Sequence, residues 1–313
     1  MVTVTLNPAI DQTLSIPGFA ANQVNRVAAS RSDAGGKGVN VASVLADFGV
    51  GVIATGFLGA DNPELFENLF VRKGIEGRFV RIAGSTRIGI KIVDDRTGQT
   101  TDINFPGLAP RAEEVEELVA RVAGLAEPGG WFVISGSVPT GVPYGLYVRL
   151  IQEIHGRGGW VVLDTSGPPL REALAAGPEV VKPNLQELSE LAGRDLDTPA
   201  AVEAAAEPLF EQGVRRVVIS MGGDGALFLE RGPLGEHALR ARPPRVDVRS
   251  TVGAGDAMVA GLVAATIWGL PLEEVARMGT AAGAYAVTQA GAGIGDWTEF
   301  ERLRSAVEIE TGI

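Results

Sequence analysis

The chain has 313 residues, 45% of them hydrophobic, which is enough for a large buried core. Its 38 acidic and 27 basic residues give a formal net charge of -11, which repels a phosphate polymer and disfavours a nucleic-acid partner. It has no cysteine, which excludes disulfides, thiolate metal sites and a cysteine nucleophile. The start, MVTVTLNPAID, has neither a basic nor an apolar leader region, and the apolar stretch from Ala257 to Leu270 is shorter than the roughly 18 residues of a membrane span. A cytoplasmic chain with no membrane association is expected.

Short apolar runs predict strands at Val2–Leu6, Val52–Phe57, Trp131–Ser135, Trp160–Asp164, Val180–Lys182, Val217–Ser220 and Ala226–Leu229. Between them, helical periodicity covers Val39–Phe48, Glu64–Lys73, Ala112–Leu125, Pro143–His155, Ala200–Gln212, Asp256–Trp268 and Leu272–Thr288. Such alternation predicts an α/β chain with a mostly parallel sheet covered by helices on both faces. Segments 12–33 and 85–107 break the rhythm. The second alternates Ile88, Ile90 and Ile92 before a turn at Asp94–Gly98, as a hairpin does. A small antiparallel sheet is expected there, outside the main one and able to cover a site at the carboxyl ends of its strands. Residues 1–313 are expected to form one α/β unit with these two lid segments.

The sharpest chemical motif is STVGAGDAMVAGLVAA, residues 250–265. Gly253, Ala254 and Gly255 form a small-residue turn into an apolar helix, whose free amides suit an anion. Asp256 is an awkward acid beside an anion; it reads as a general base or as an ordinary helix cap, and the roles are compatible. A second cluster runs from Ala34 to Asn40 and includes Gly36, Lys37 and Asn40. It departs from a Walker A loop because Gly38 follows the lysine, so a tight strand-to-helix turn and a phosphate-meeting Lys37 both remain open. The run Ser220 to Gly225, with Gly222, reads as a β-turn between strands. In Lys182-Pro183-Asn184-Leu185-Gln186-Glu187, Asn184 and Glu187 have the spacing of a capping box. The two histidines, His155 and His237, lack metal-ligand spacing and read as surface residues. No Ser-His-Asp arrangement survives, and no GxGxxG follows the first strand.

Taken together, GGKGVNVA and VGAGDAMVAG resemble the two signatures of the ribokinase-like (PfkB-type) carbohydrate kinases. TLNPAID, ISGSVPTGVP, KPNLQE and ISMGGDGA resemble that family's intervening blocks, in order, from Thr5 to about Gly293. TLNPAIDQT, GFLGADN, TRIGIKIVD and TDINFPG are most similar to the members acting on fructose 1-phosphate; the tagatose-6-phosphate kinases are close relatives.

The resemblance implies a three-layer α/β/α domain with a β-sheet lid, a homodimer formed through the lid, and ATP, Mg²⁺ and a ketohexose phosphate as ligands. By matching position, Asp256 is the base that activates the C6 hydroxyl of fructose 1-phosphate, and Gly253, Ala254 and Gly255 form the anion hole. Asp11, Gly36, Lys37, Asn40 and Ser137 belong to the sugar site. Arg87, with Lys91 and Arg26 as further candidates, holds the acceptor's phosphate, for which a guanidinium fork is suited. Lys182, Asn184, Glu187, Ser220, Gly222 and Gly225 belong to the nucleotide side, with Glu187 acting on Mg²⁺ through water, and Asp164 lies at the junction. Ala257 departs from the family, which often has Ser there. Two alternatives stand beside this reading. The acceptor is tagatose 6-phosphate or fructose 6-phosphate, or the protein binds sugar phosphates without catalysis.

Overall fold

The computed structural model describes residues 1–232, 235–289, 291 and 293–311. In chain order its first half holds β1 (Val2–Thr5), β2 (Ala9–Ser15), β3 (Ala29–Gly35), α1 (Lys37–Asp47), β4 (Ile53–Gly59), α2 (Glu64–Lys73), β5 (Glu76–Ile82), β6 (Ile88–Asp94), β7 (Gln99–Asn104) and α3 (Ala112–Leu125). Next come β8 (Trp131–Ser135), α4 (Leu146–His155), β9 (Trp160–Asp164), α5 (Gly167–Leu174), β10 (Val180–Val181), α6 (Leu185–Ala192), α7 (Pro199–Glu211) and β11 (Arg216–Ser220). The last elements are β12 (Ala226–Gly232), β13 (Gly235–Arg242), α8 (Ala254–Ile267), α9 (Leu272–Val287), α10 (Trp297–Ser305) and β14 (Glu308–Thr311).

The main sheet has 10 strands in the order β14-β13-β12-β11-β10-β9-β8-β1-β4-β5. From β11 to β5 every neighbouring pair is parallel, and β12, β13 and β14 add an antiparallel margin. The near-continuous apolar strands require cover on both faces. On one face α1, α2, α8, α9 and α10 pack around Val41, Phe66, Val259, Tyr285 and Phe300. On the other, α3 to α7 pack around Leu118, Leu150, Leu170, Leu188 and Leu209. This is the expected three-layer arrangement.

Chain order reverses between β1 and β8, so ligands are expected in the crevice beyond their carboxyl ends. The same end carries polar side chains on adjacent strands. Ser135 at the end of β8 lies opposite Asp164 at the end of β9, and Lys182 follows β10 directly, donating its amide to Leu163 at 3.2 Å.

A second sheet of 4 strands, in the order β3-β2-β6-β7, stands apart from the main one. The hairpin β6–β7 turns at the foreseen place, Asp94 to Gly98, where the Asp94 carboxylate accepts the amides of Gly18 and Arg96. The sheet is mixed, however, because β2 runs parallel to β6. The antiparallel expectation failed because β2 and β6 both leave the main sheet in the same direction. The charged strands β5, β13 and β14, and helices α5 and α10, were not foreseen either.

The join between the two sheets explains the glycine cluster. Gly36 has φ +105°, and a Cβ there would lie 2.9 Å from Pro8 Cα, while one on Gly35 would lie 2.2 Å from Asp11 Oδ2. Both positions therefore exclude larger residues, and β3 passes directly into α1 with Lys37 at its first position. Gly36→Ala is expected to lower stability by about 1–3 kcal/mol. Urea denaturation checks this; an unchanged midpoint would contradict it.

Candidate active site

The ends of β10 and β11, the first turns of α1, α6 and α8, and the root of the small sheet line a polar cavity of about 510 Å³. It brings together Asp11, Gly36, Lys37, Asn40, Arg87 and Lys182 with Asn184, Glu187, Ser220, Gly222, Gly253, Gly255 and Asp256. These residues are dispersed over the whole chain.

Asp256 sits in the first turn of α8 and is only 6% exposed. It is not the helix cap. Gly253 takes that position with φ 78°, a left-handed conformation that glycine adopts without strain, and it makes no side-chain cap. Asn40 Nδ2 instead donates to Asp256 Oδ2 at 2.8 Å. Burial, helped by the nearby Asp164 charge, pushes the Asp256 carboxyl up to about 6, against the pull of Lys37, Asn40 and Lys182. A carboxylate so tuned is ionised at neutral pH yet readier than an ordinary one to take a proton.

Asp164 is 1% exposed and lies behind the lining, not in it. Lys37 Nζ lies 3.3 Å from both of its oxygens, and Lys182 Nζ lies 3.2 Å from Oδ1. Burial alone would raise the Asp164 carboxyl, but the two lysines outweigh it and hold it below the ordinary carboxylate range. Burial likewise pulls Lys37 down, and Asp164, Asp256 and Glu187 more than offset it, so its ammonium form is favoured.

At the lid root, burial raises the Asp11 carboxyl while Lys91 and Arg87 oppose the rise. Arg87 is loosely held: Nη1 donates to the Phe105 carbonyl at 3.5 Å and Nη2 to the Asn7 carbonyl at 3.4 Å. Its Nε is buried with no hydrogen-bond partner among the described residues. Those unspent donors face an anion's needs. Lys91 stands outside the cavity lining, with Nζ 3.9 Å from Asp102 Oδ1, and Arg26 is exposed on the segment between β2 and β3. Ser137 does not line the cavity either; it accepts from Asn7 Nδ2 at 3.0 Å.

Sequence reasoning did not single out Asn7. Its side chain ties the end of β1 to the segment after β8, across the point where strand order reverses, while its carbonyl receives Arg87. It lies in the TLNPAID block, where by itself the Asn-Pro pair reads as a turn after a strand and gives no sign of that tie.

A second cavity of about 540 Å³ adjoins the first and shares Ser220, Gly222 and Gly255 with it. Gly225 and Ala254 line it as well, and its walls include Pro243, Val246, Met258 and Val287. Asn184 and Glu187 do form the foreseen capping box of α6, each accepting the other's amide at 2.8 Å. Glu187 Oε1 has no hydrogen-bond partner among the described residues. The run from Ser220 to Gly225 is the expected turn between β11 and β12, tightened by a 3₁₀ turn at Gly222–Asp224. Ala257 is 1% exposed and packs into the core, so its position does not line the site. His237 is exposed as expected, but His155 is half-buried, with Nε2 3.2 Å from Glu179 Oε2, because Glu179 also caps the Val161 amide and draws the ring inward.

Asn40→Ala removes the hydrogen bond that favours ionised Asp256, so the Asp256 carboxyl is expected to titrate above its present value of about 6. Carboxyl-carbon NMR checks the direction; a downward shift would contradict the assignment.

Comparison with known proteins agrees with this geometry. The pattern of the pfkB family carbohydrate kinases matches residues 4–299. The chain is 45% identical to 1-phosphofructokinase of Rhodobacter capsulatus, over 99% of this chain and 98% of that one. It is 46% identical to 1-phosphofructokinase of Xanthomonas campestris pv. campestris, over 90% of this chain and 88% of that one. Among solved structures, phosphofructokinase-2 from Escherichia coli in complex with substrates and products superposes with a TM-score of 0.91 at 31% identity, covering 97% of this chain and 98% of that one. With the ribokinase-like layers and lid expected from the motifs in place, the chain belongs to the pfkB family of carbohydrate kinases.

Proposed function

We propose that the protein transfers the γ-phosphoryl group of ATP to the C6 hydroxyl of fructose 1-phosphate, giving fructose 1,6-bisphosphate and ADP. The acceptor is inferred from the relatives' activity, 1-phosphofructokinase. One observation carries the mechanism: a buried carboxylate, Asp256, held by Asn40 at the start of α8, where the polar and apolar cavities meet at Gly255.

In this reading the sugar lies in the polar cavity against Asp11, Gly36, Lys37 and Asn40, with its phosphate on Arg87 and, on lid closure, Lys91. Arg26 and Ser137 act at the periphery, Ser137 through Asn7. ATP lies with its base in the apolar cavity and its phosphates along Ser220, Gly222 and Gly225 toward Lys182. Asp256 accepts the C6 hydroxyl proton as O6 bonds to the γ-phosphorus. The bond from that phosphorus to the β–γ bridging oxygen breaks, and ADP leaves. The amides of Gly253 and Gly255, with that of Ala254, which donates only at 3.4 Å to the Thr251 carbonyl, and the ammonium groups of Lys37 and Lys182 meet the charge on the transferring group, which is the main demand of phosphoryl transfer.

No cluster of three or more acidic, histidine or cysteine residues suited to a metal occurs among the described residues. Mg²⁺ is bound through nucleotide phosphates and water with only one or two carboxylates. Glu187, with Oε1 unengaged beside Asn184, is the residue that would hold it through water. Mg²⁺ supplies neutralisation of the phosphate charge when bound.

The lid carries exposed apolar side chains, Val24, Val27, Ile103 and Phe105, and an open sheet edge, which support a homodimer formed through it. No helix among the described residues is long and apolar enough to cross a membrane, and a cytoplasmic location is proposed with that.

Asp256→Asn is expected to lower kcat by roughly 10²–10⁴ while the protein stays folded; near-normal turnover would overturn Asp256 as the base. Arg87→Ala is expected to raise KM for the sugar phosphate and leave KM for ATP nearly unchanged, checked by steady-state kinetics. Because the base must be ionised, activity is expected to fall as pH drops through about 6, the value for Asp256, and to level off above it.

A further inference from the structure

Asn7 lies between β1 and β2, at the root of the lid, and three segments converge on it. Its Nδ2 donates to Ser137 Oγ at 3.0 Å, after β8. Its carbonyl accepts Arg87 Nη2 at 3.4 Å, while Arg87 Nη1 reaches the Phe105 carbonyl at 3.5 Å. Gly107 passes so close that a Cβ there would lie 2.1 Å from Asn7 Oδ1. The amide is thus fixed in orientation, with Oδ1 turned to Gly107 and one N–H spent on Ser137. A side-chain amide has a second N–H, and that of Asn7 has no hydrogen-bond partner among the described residues. The Asn7–Ser137 bond is exposed to solvent, and the wall that holds it continues inward: a Cβ on Gly136 would lie 3.7 Å from Lys37 Cβ. Lys37 and Arg87 both line the polar cavity, so Asn7 stands at the rim of that cavity, at the end marked by Arg87.

The ketohexose phosphates differ at that end. A ring form of fructose 1-phosphate with a free C6 hydroxyl is the furanose. With C6 toward Asp256 and the C1 phosphate on Arg87, the ring carbon that bears the phosphate arm is C2, and C2 also carries the anomeric hydroxyl. Fructose 6-phosphate and tagatose 6-phosphate would react at C1. Their phosphate arm joins C5, which carries hydrogen where C2 carries the hydroxyl. A donor beside Arg87 therefore tells the two classes apart. A site that hydrogen-bonds a substrate hydroxyl rejects an analogue lacking it far more strongly than an apolar wall does. We propose that Asn7 is a specificity-determining residue: its unspent N–H donates to the anomeric C2 hydroxyl of fructose 1-phosphate, and Ser137 positions the amide for that contact. This deepens the acceptor assignment made above and rests on it.

The test is steady-state kinetics of the full-length protein with Mg·ATP and either fructose 1-phosphate or 2,5-anhydro-D-mannitol 1-phosphate. The second sugar is the same furanose without the anomeric hydroxyl. Asn7→Ala is expected to lower kcat/KM for fructose 1-phosphate by roughly tenfold and to change that for the anhydro sugar by less than about twofold. A merely structural role for Asn7 would lower both alike, and an equal fall would overturn the proposal, as would no fall in either. Ser137→Ala frees the amide and leaves the end of β1 untouched. It is expected to act in the same direction, on fructose 1-phosphate alone, and it decides the matter where Asn7→Ala does not fold; an equal effect on both sugars there would also overturn the proposal. Fructose 6-phosphate and tagatose 6-phosphate, run beside these with the unmodified protein, separate the two levels of the reading. A preference for either would overturn the acceptor assignment and the role of Asn7 with it. A preference for fructose 1-phosphate with an equal fall in the variants would overturn the role of Asn7 alone.

Discussion

Asp164 is a carboxylate with almost no access to water, at the end of β9, and it is ionised only because Lys37 and Lys182 both reach it. Removing a charge from water costs several kcal/mol unless partners compensate. Each lysine belongs to a different part of the fold, Lys37 to the start of α1 and Lys182 to the end of β10. Their shared attraction to one buried anion therefore fixes both the strand ends and the first helix. The same anion helps keep Asp256 protonatable, since its negative charge is one of the causes raising that carboxyl. Two carboxylates and two ammonium groups thus form one electrostatic unit, in which the lysines hold Asp164 down while burial, helped by the Asp164 charge, pushes Asp256 up.

This unit also reconciles the global charge with the ligands. A chain of net charge -11 is a poor partner for a polyanion, yet its polar cavity gathers Lys37, Arg87 and Lys182. Fixed local charges in a partly buried cleft outweigh the diffuse surface average, which salt screens. The lid then supplies what the main sheet cannot: Asp11 and Arg87 come from its root, above the strand ends, and Asn7 links that root to the segment after β8.

Much of this was legible in the sequence. The strands Trp131–Ser135 and Trp160–Asp164 and the helices Glu64–Lys73 and Ala112–Leu125 fall where the periodicity put them, because their buried faces dominate their composition. The strand Glu76–Ile82 was not legible, since Glu76, Arg78 and Arg81 sit exposed on an edge and dilute the apolar signal. The glycine clusters marked close approaches of backbone, but only the motif order across the whole chain said for what. Residues 127 positions apart, such as Lys37 and Asp164, meet only through the fold. For the same reason Asp164 was expected at the site itself and lies behind it.

The central claim is that Asp256 and the lid root are arranged for a sugar that carries its phosphate at C1 and its reacting hydroxyl at C6. ADP release by the purified protein with Mg·ATP, measured separately with fructose 1-phosphate, fructose 6-phosphate and tagatose 6-phosphate, tests it most directly. The account predicts a clear preference in kcat/KM for fructose 1-phosphate. Preference for either 6-phosphate, or no ADP release with any of the three from folded protein, would contradict it.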